Sequence, residues 1–183
     1  GLVAPYLAYM RQDKRFHAGE AITSRTYAKL LSSSLDFLLT VDPHLHRWHS
    51  LQDIYPIRTE AVSSAPAIAQ WIVRNVDAPL LVGPDSESEQ WVAEVGRLAG
   101  LPWTVLQKTR HGDRDVRVTL PQPQQWAGRT PVLLDDIVST GHTLIAAATV
   151  LRELGLPAPV CVAVHALFAD DAFAALAAQG FAR

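Results

Sequence analysis

The chain has 183 residues, of which 49% are hydrophobic and 19% are charged, a composition typical of a globular protein. Its formal net charge of −2 gives no electrostatic case for nucleic acid or an anionic membrane as the main partner. The single cysteine, Cys161, excludes an internal disulfide and lies in an apolar run typical of a buried core thiol. No apolar run is long enough for a transmembrane helix, and the start lacks the basic lead of a signal peptide, so we expect a cytoplasmic protein.

Apolar runs alternate with helical patterns along the chain. Strands are predicted at 2–8, 37–42, 79–83, 103–107, 116–120, 131–135 and 159–164. Helices are predicted at 23–33, 66–76, 87–99, 143–154 and 170–179. This alternation predicts an α/β fold with mostly parallel sheets flanked by helices. Because ligands of such sheets bind at the carboxyl ends of the strands, the polar residues that follow the strands are the candidate functional residues, and we expect them to converge on one cleft.

The first strand is followed by a segment that suits a nucleotide. Residues 10–16 contain three cations, an amide and an acid. A guanidinium can pair with phosphate or stack on a purine, and a glutamine can read a base edge, which makes Arg11 and Gln12 candidates for nucleotide binding. A solvated charged loop explains the same spacing.

Asp42 and His44 follow the second strand. A histidine in that position can coordinate a cation or contact a triphosphate. Three histidines lie within residues 44–49, but no cysteine or carboxylate cluster with zinc spacing accompanies them, so no zinc site is expected. His46 and His49 are interpreted as surface or loop residues.

Two further strand ends carry charged groups. Asp85 follows the strand at 79–83, where it either caps the next helix or holds a cation. Lys108 and Arg110 follow the strand at 103–107 in a polar loop that contains glycine. Such cations either stabilise charge on a transferring phosphate chain or belong to an exposed basic turn.

The most informative stretch is residues 131–143. An apolar run ends in Asp135 and Asp136, a loop of small residues follows, and an Ala-rich helix begins near residue 143. Backbone N–H groups of such a loop and the positive end of the helix dipole form an anion site. The loop and the start of the helix comprise Ser139, Thr140, Gly141, His142 and Thr143. An ordinary strand–turn–helix is the alternative, but paired acids at the end of a buried strand are costly without a partner.

Residues 131–143 resemble the ribose 5-phosphate and phosphoribosyl pyrophosphate motif of phosphoribosyltransferase-fold proteins. Four other segments resemble ribose-phosphate pyrophosphokinases in the same order and at similar spacing: Arg11-Gln12-Asp13-Lys14, Val41-Asp42-Pro43-His44, Gly83-Pro84-Asp85 and Lys108-Thr109-Arg110. Val164-His165 with Phe168 resembles a segment near the end of that family's synthetase domain. The chain is therefore identified as a member of the ribose-phosphate pyrophosphokinase family, and the similarity covers nearly all of it.

The resemblance implies two phosphoribosyltransferase-like domains, with the first one incomplete. Residues 1–63 correspond to the later part of the N-terminal domain, on the ATP side, and residues 64–183 to the C-terminal domain, on the ribose 5-phosphate side. The chain begins within a predicted strand and lacks the family's early Phe-X-X-Gly-Glu segment, so we expect a partial, N-terminally truncated member. A homo-oligomer based on dimers, up to a hexamer, is also implied.

The implied reaction is a ribose-phosphate diphosphokinase reaction, which transfers the diphosphoryl group of ATP to the 1-hydroxyl of ribose 5-phosphate with Mg²⁺ as cofactor. By resemblance, Arg11, Gln12 and His44 bind ATP, and His44 and Asp85 organise magnesium. Lys108 and Arg110 are the catalytic cations. Ribose 5-phosphate is bound by Asp135, Asp136 and the five residues 139–143.

The sequence departs from the family at the phosphate loop. There the family's loop has a second glycine where this chain has His142, which is expected to alter affinity for ribose 5-phosphate rather than abolish it. Two alternatives stay open: a non-catalytic regulatory homologue, and a phosphoribosyltransferase that consumes phosphoribosyl pyrophosphate.

Overall fold

The computed structural model describes residues 1–111 and 115–182, except for the side chains of 109–111 and 115–117. The chain divides into two compact units, Gly1–Ser64 and Ala65–Arg183. No helix within the described ranges is long and apolar enough to cross a membrane.

The first unit is a small parallel sheet with one helix. Its strands are β1 (Leu2–Ala4), β2 (Phe37–Val41) and β3 (Arg58–Val62), in the order β1-β2-β3. Helix α1 (Thr23–Ser32) lies between β1 and β2 in the chain, and a 3₁₀ turn at Leu51–Asp53 precedes β3. The buried core residues are Leu7, Met10, Ala28, Leu38, Leu51 and Tyr55.

The second unit contains a four-stranded parallel sheet and a separate hairpin. The sheet strands are β4 (Pro79–Gly83), β5 (Trp103–Val105), β8 (Thr130–Val138) and β9 (Val160–Ala166), in the order β5-β4-β8-β9. The antiparallel hairpin consists of β6 (Gln107–His111) and β7 (Asp115–Thr119). The helices are α2 (Ala65–Asn75), α3 (Glu89–Ala99), α4 (His142–Glu153) and α5 (Ala172–Ala177).

Helices cover both faces of this sheet because successive strand residues point in opposite directions. Leu80 and Leu133 pack on the face that α4 covers, with Leu144 and Leu151 of that helix. Leu81, Val132 and Leu134 pack on the other face, with buried residues of α2 and α3. Burial on both faces explains why β4 and β8 are continuous apolar runs rather than alternating patterns. The predicted α/β fold with parallel sheets flanked by helices is confirmed.

Several element predictions need correction. Strand β3 was not predicted, because Arg58–Val62 is a largely exposed edge strand with no apolar run. Strand β1 ends at Ala4 rather than continuing to residue 8, because Pro5 follows and has no backbone N–H to extend the ladder. Helix α5 spans Ala172–Ala177 only, and β8 extends to Val138, three residues beyond its predicted end.

Lys108 and Arg110 lie in strand β6 of the hairpin, not in a loop after a strand. Lys108 pairs with Val118, and Arg110 pairs with Val116, in an antiparallel register. The charged side chains obscured a strand whose partner is rich in β-branched residues, which favour sheet structure.

Candidate functional site

The carboxyl edge of the parallel sheet in residues 65–183 carries three carboxylates. Strands β4 and β8 pair from Pro79 with Thr130 to Val82 with Leu133, and β4 ends at Gly83. Strand β8 continues beside β9 to Val138. Asp135 and Asp136 therefore lie just beyond the end of β4, from which the chain turns towards Asp85.

Asp135 is an unfavourable place for a negative charge. Burial first, and then the charges of Asp136 and Asp85, raise the pKa of Asp135 from 3.8 to about 7. A single backbone hydrogen bond, from the N–H of Asp136 to Oδ1 of Asp135 at 3.0 Å, opposes this effect. The site therefore favours a ligand that brings hydroxyl donors or positive charge to Asp135.

Asp85 caps a short helical turn and also contributes to this electrostatic field. Its Oδ1 accepts a hydrogen bond from the N–H of Glu87 at 3.1 Å, which caps the 3₁₀ turn Ser86–Ser88 at the start of α3. Its charge is also one of the causes of the raised pKa of Asp135. The two interpretations of Asp85 in the sequence, as a cap and as an acid of the site, are therefore compatible.

Within the described ranges, no three His, Cys, Asp or Glu side chains are arranged to hold a metal ion. The carboxylates of Asp85, Asp135 and Asp136 nevertheless interact electrostatically. Oxygen donors with excess negative charge suit a hard cation that keeps most of its waters and binds few protein ligands. These residues fit a Mg²⁺ ion that is shared between the protein and its ligand, rather than an ion enclosed in a dedicated protein site.

The loop after β8 has a backbone arrangement that suits an anion. Gly141 adopts a positive φ of 74° immediately before α4, and its carbonyl accepts the N–H of Ile145 at 2.9 Å. A Cβ on Gly141 would lie 3.0 Å from Leu176, so the loop is also packed closely against α5. The carbonyl of Ser139 accepts the N–H of Ala169 at 3.1 Å. The loop is therefore held in place by its carbonyls.

The N–H groups at the start of α4 have no acceptor within the helix, as at any helix start. Helix α4 has 12 residues and no acid in its first turn. Thr140, His142 and Thr143 are exposed, and Ser139 is half-buried. The segment 139–143 thus offers hydroxyl and backbone donors, together with the positive end of a helix dipole, to an anion.

His142 occupies a position where a side chain is tolerated. The φ of His142 is not positive, and its side chain is exposed. Gly141 alone in this loop needs the conformation that favours glycine. The histidine therefore does not strain the backbone of the loop at residues 139–143.

Lys108 is exposed on the hairpin of the second unit. The side chain of Arg110 lies outside the described part of the chain. The backbone of both residues belongs to β6, which pairs only with β7 in the described sheets.

In the first unit, the loop that follows β1 is tied down by acidic side chains. Oε2 of Glu20 accepts the N–H groups of residues 16–17 at 3.1 and 3.0 Å. Buried Asp13 forms an ion pair with Nε of Arg47 at 3.3 Å. This loop is therefore an ordered structure rather than only a solvated charged run.

Arg11 and Gln12 are exposed on this ordered loop. The backbone of Gln12 donates to the carbonyl of Tyr9 at 3.1 Å and accepts the N–H of Ser24 at 3.2 Å. The backbone of Gln12 is hydrogen-bonded, whereas the side chains of Arg11 and Gln12 face solvent and are accessible to a ligand.

His44 is half-buried, and its ring centroid lies 6.3 Å from that of His46. His46 and His49 are exposed. Asp42, in contrast, has a structural role that the sequence did not indicate. It adopts a positive φ of 35°, and its Oδ2 accepts hydrogen bonds from the N–H of Ser64, at 2.8 Å, and from the Ser64 hydroxyl.

Two other residues were named in the sequence only as parts of motifs, without a role of their own. Asp13 lies in a matched motif, yet its burial and ion pair mark it as a support of the loop. His165, only 8% exposed, pairs in register with Ile137 near the end of β8. The burial of Asp13 and His165 and their pairing partners cannot be inferred from the local sequence. The position of His165 at the end of an apolar strand does, however, indicate that it lies at the carboxyl edge of the sheet.

The phosphoribosyl transferase domain family matches residues 57–174 of this chain. The chain is 33% identical over 181 residues to a ribose-phosphate pyrophosphokinase of Methanopyrus kandleri, an alignment that covers 98% of this chain and 61% of that protein. It is 36% identical over 180 residues to a ribose-phosphate pyrophosphokinase of Halobacterium salinarum, with 97% and 62% covered. The chain thus spans about three fifths of the length of these curated relatives.

A solved structure of a related protein is similar to this chain in its fold as well. The phosphoribosylpyrophosphate synthetase of Mycobacterium smegmatis superposes with a TM-score of 0.84 at 27% identity, over 98% of this chain and 58% of that one. The resemblance seen in the sequence motifs is therefore confirmed over nearly the whole chain.

Proposed function

This chain belongs to the phosphoribosyl transferase domain family, and from that premise we propose that the protein is a ribose-phosphate diphosphokinase. The observation that carries the proposal is that one edge of the sheet combines a carboxylate whose pKa is raised, Asp135, with a loop whose backbone conformation suits an anion. Asp135 favours a hydroxylated or cationic ligand, and residues 139–143 favour an anion. A sugar phosphate supplies both groups in one molecule.

In the proposed reaction, the 1-hydroxyl oxygen of ribose 5-phosphate forms a bond to the β-phosphorus of ATP. The bond between that phosphorus and the oxygen bridging it to the α-phosphorus breaks, and AMP leaves with the bridging oxygen. The hydroxyl proton is released, and the products are phosphoribosyl pyrophosphate and AMP. Little covalent chemistry falls to the protein, so positioning and charge stabilisation supply the catalysis.

On the sugar side, Asp135 and Asp136 accept hydrogen bonds from the ribose hydroxyls. The backbone N–H groups and hydroxyls of 139–143 hold the 5-phosphate at the start of α4. The supporting observation is that the N–H groups of Ile145 and Ala169 hold the loop in place through its carbonyls, while the N–H groups at the start of α4 have no acceptor within the helix.

On the nucleotide side, Arg11 and Gln12 contact the adenine nucleotide, and His44 contacts its phosphate chain. Lys108 and Arg110 stabilise negative charge as the β-phosphorus is attacked. Their support is the sequence resemblance together with the exposure of Arg11, Gln12 and Lys108.

Mg²⁺, when bound with ATP, neutralises charge on the phosphate chain. Asp85 is the residue of the second unit proposed to contact it, and a role of His44 in holding the ion rests on the sequence resemblance alone. The fit rests on the oxygen donors and the excess negative charge around Asp85 and Asp135. Because the described part of the chain contains no metal cage, most ligands would be water and phosphate oxygens.

The test is AMP formation by the full-length gene product with ATP, Mg²⁺ and ribose 5-phosphate. AMP should form only when the sugar phosphate is present. Lys108→Ala should lower kcat by about a hundredfold or more, as loss of one transition-state charge contact does. Lys29→Ala, which removes an exposed lysine of α1, is the matched control and should leave kcat unchanged.

The alternatives predict different results. A regulatory homologue would bind nucleotide without any turnover. A phosphoribosyltransferase would form no AMP from ATP but would release pyrophosphate from phosphoribosyl pyrophosphate in the presence of a base. Either result would refute the proposed diphosphokinase reaction.

A further inference from the structure

The two residues proposed to contact the adenine nucleotide, Arg11 and Gln12, lie between two buried neighbours. Met10 on one side is 2% exposed and belongs to the core of the first unit. Asp13 on the other side is only 8% exposed, although it is a carboxylic acid. Arg11 and Gln12 themselves are exposed. Where the exposed pair lies is therefore set by how these two neighbours are held.

Asp13 is held by Arg47, which comes from a distant part of the sequence. Nε of Arg47 lies 3.3 Å from Oδ1 of Asp13, and the two side chains are 44% and 6% exposed, respectively. A buried carboxylate is costly without a partner, so loss of the guanidinium would leave Asp13 uncompensated. The loop would relieve this cost by turning Asp13 towards water. Because Gln12 is the adjacent residue, its side chain would move as well.

The residue after Arg47 reaches the same loop by a second route. Nε1 of Trp48 donates a hydrogen bond to Oγ of Ser24 at 3.2 Å, and the N–H of Ser24 donates to the carbonyl of Gln12 at 3.2 Å. Ser24 is fully buried, and the guanidinium of Arg25 lies over the Trp48 ring at 4.9 Å. Residues 47–48 thus support the loop at two successive positions, residues 12 and 13.

The same segment of chain also carries His44, three residues before Arg47. The ion pair between Arg47 and Asp13 therefore joins the segment of His44 to the loop of Arg11 and Gln12. Both parts belong to the first unit, Gly1–Ser64. Groups that contact one ligand act together only if they are held in one arrangement, and that arrangement depends on the residues that support them.

We propose that Arg47 is a positioning residue of the nucleotide site, which acts through its ion pair with Asp13. The pair sets where Arg11 and Gln12 lie relative to His44. This inference rests on the proposed function, since that function assigns the nucleotide to these three residues. Arg47 is not itself a ligand contact in this account, so its whole effect passes through Asp13.

The test measures the Kd of a non-hydrolysable ATP analogue with Mg²⁺ by isothermal titration of the full-length gene product, together with the KM for each substrate. Arg47→Met keeps most of the aliphatic stem and removes the charge. It should raise the Kd of the analogue and the KM for ATP about tenfold, less than the roughly hundredfold loss that a 1 Å misplacement can cause. The KM for ribose 5-phosphate should stay unchanged, because the residues proposed to bind the sugar belong to the second unit.

Three further variants show whether Arg47 acts through Asp13. Asp13→Asn should weaken binding of the analogue to a similar extent. The combined variant should be no weaker than Arg47→Met alone, because both changes remove the same contact. Arg47→Lys keeps the charge without the planar fork and should recover part of the affinity. Arg58→Met makes the same substitution at an exposed arginine of the same unit, whose guanidinium lies over the Phe37 ring at 5.3 Å, and should match the wild type.

A merely structural role of Arg47 would lower the free energy of unfolding and leave the affinity of the folded protein unchanged. Affinities are therefore compared under conditions in which circular dichroism shows each variant to be folded. If Arg47→Met does not fold, Arg47→Lys and Asp13→Asn decide the question in its place. An unchanged Kd would overturn the inference, and so would an equal rise in the KM for ribose 5-phosphate.

Additive losses in the combined variant would also overturn the inference, because Arg47 would then contact the nucleotide directly. If the wild type binds the analogue but forms no AMP, the proposed function fails while the Kd values still decide the role of Arg47. If the wild type does not bind the analogue, both the inference and the proposed function are overturned.

Discussion

Replacing Asp135 with asparagine is expected to stabilise the protein at neutral pH while it abolishes the proposed activity. Burial and the charges of Asp136 and Asp85 raise the pKa of Asp135 to about 7. One pKa unit corresponds to about 1.4 kcal/mol, so the ionised carboxylate costs at most about 4 kcal/mol of folding free energy above pH 7. Because the side chain is only partly shielded from water, we expect roughly 2 kcal/mol.

The sign follows from proton linkage. The folded state binds the Asp135 proton more tightly than the unfolded chain, whose carboxyl titrates near pH 4. The stabilisation is therefore fully present below about pH 4 and is lost as the pH rises to about 7, the pKa in the folded state. Asparagine has a similar shape and no charge, so Asp135→Asn does not undergo this loss.

The assay is urea unfolding of the wild type and Asp135→Asn at about pH 5 and about pH 8. The free energy of unfolding of the wild type should fall more than that of the variant between these two conditions. Asp77→Asn, which alters an exposed acid of the same unit, is the control and should follow the wild type. An identical fall in the wild type and Asp135→Asn would refute the electrostatic reasoning.

Three other substitutions test the fold and the loop. Gly96→Ala should lower the free energy of unfolding by about 1 to 3 kcal/mol, because its Cβ would lie 2.8 Å from Cδ1 of Trp103. Gly141→Ala should raise the KM for ribose 5-phosphate about tenfold in steady-state assays, since alanine is strained at a φ of 74° and the loop must shift. Asp42→Ala should cost about 1 to 3 kcal/mol in urea unfolding, because it removes the acceptor for the Ser64 N–H and hydroxyl.

Each of these predictions has a defined contrary result. Unchanged stability of Gly96→Ala, relative to Gln90→Ala at an exposed position of the same helix, would contradict the close packing of α3. An unchanged KM for Gly141→Ala would contradict the role of the loop conformation. An unchanged free energy of unfolding for Asp42→Ala would show that the hydrogen bonds to Ser64 make no net contribution to stability.

The sequence predicted the elements whose signal is local. Strand β4 was predicted with its observed bounds, because an apolar run preceded by a turn and followed by Gly-Pro is readable without tertiary context. Strand β3 was missed because it is an exposed edge strand that pairs with β2 across a distance in sequence. Strand β6 of the β6–β7 hairpin was mistaken for a loop, because its charged residues do not form the alternating apolar pattern that is typical of a strand.

The candidate site was partly predictable for the same reason. The rule that ligands bind at strand ends placed Asp85 and Asp135 among the candidates, and the structure brings their charges into interaction. The raised pKa of Asp135 depends on burial, which the sequence does not contain. The role of Asp42 could not be predicted either, because its partner Ser64 lies 22 residues away in the chain.

The most direct test of the proposed reaction is to identify its products by ³¹P NMR, with the full-length gene product, ATP, Mg²⁺ and ribose 5-phosphate. The proposal predicts AMP and a sugar carrying a diphosphate at C1, formed in equal amounts and absent when ribose 5-phosphate is omitted. Formation of ADP with a singly phosphorylated C1, or no sugar-dependent product, would contradict diphosphoryl transfer.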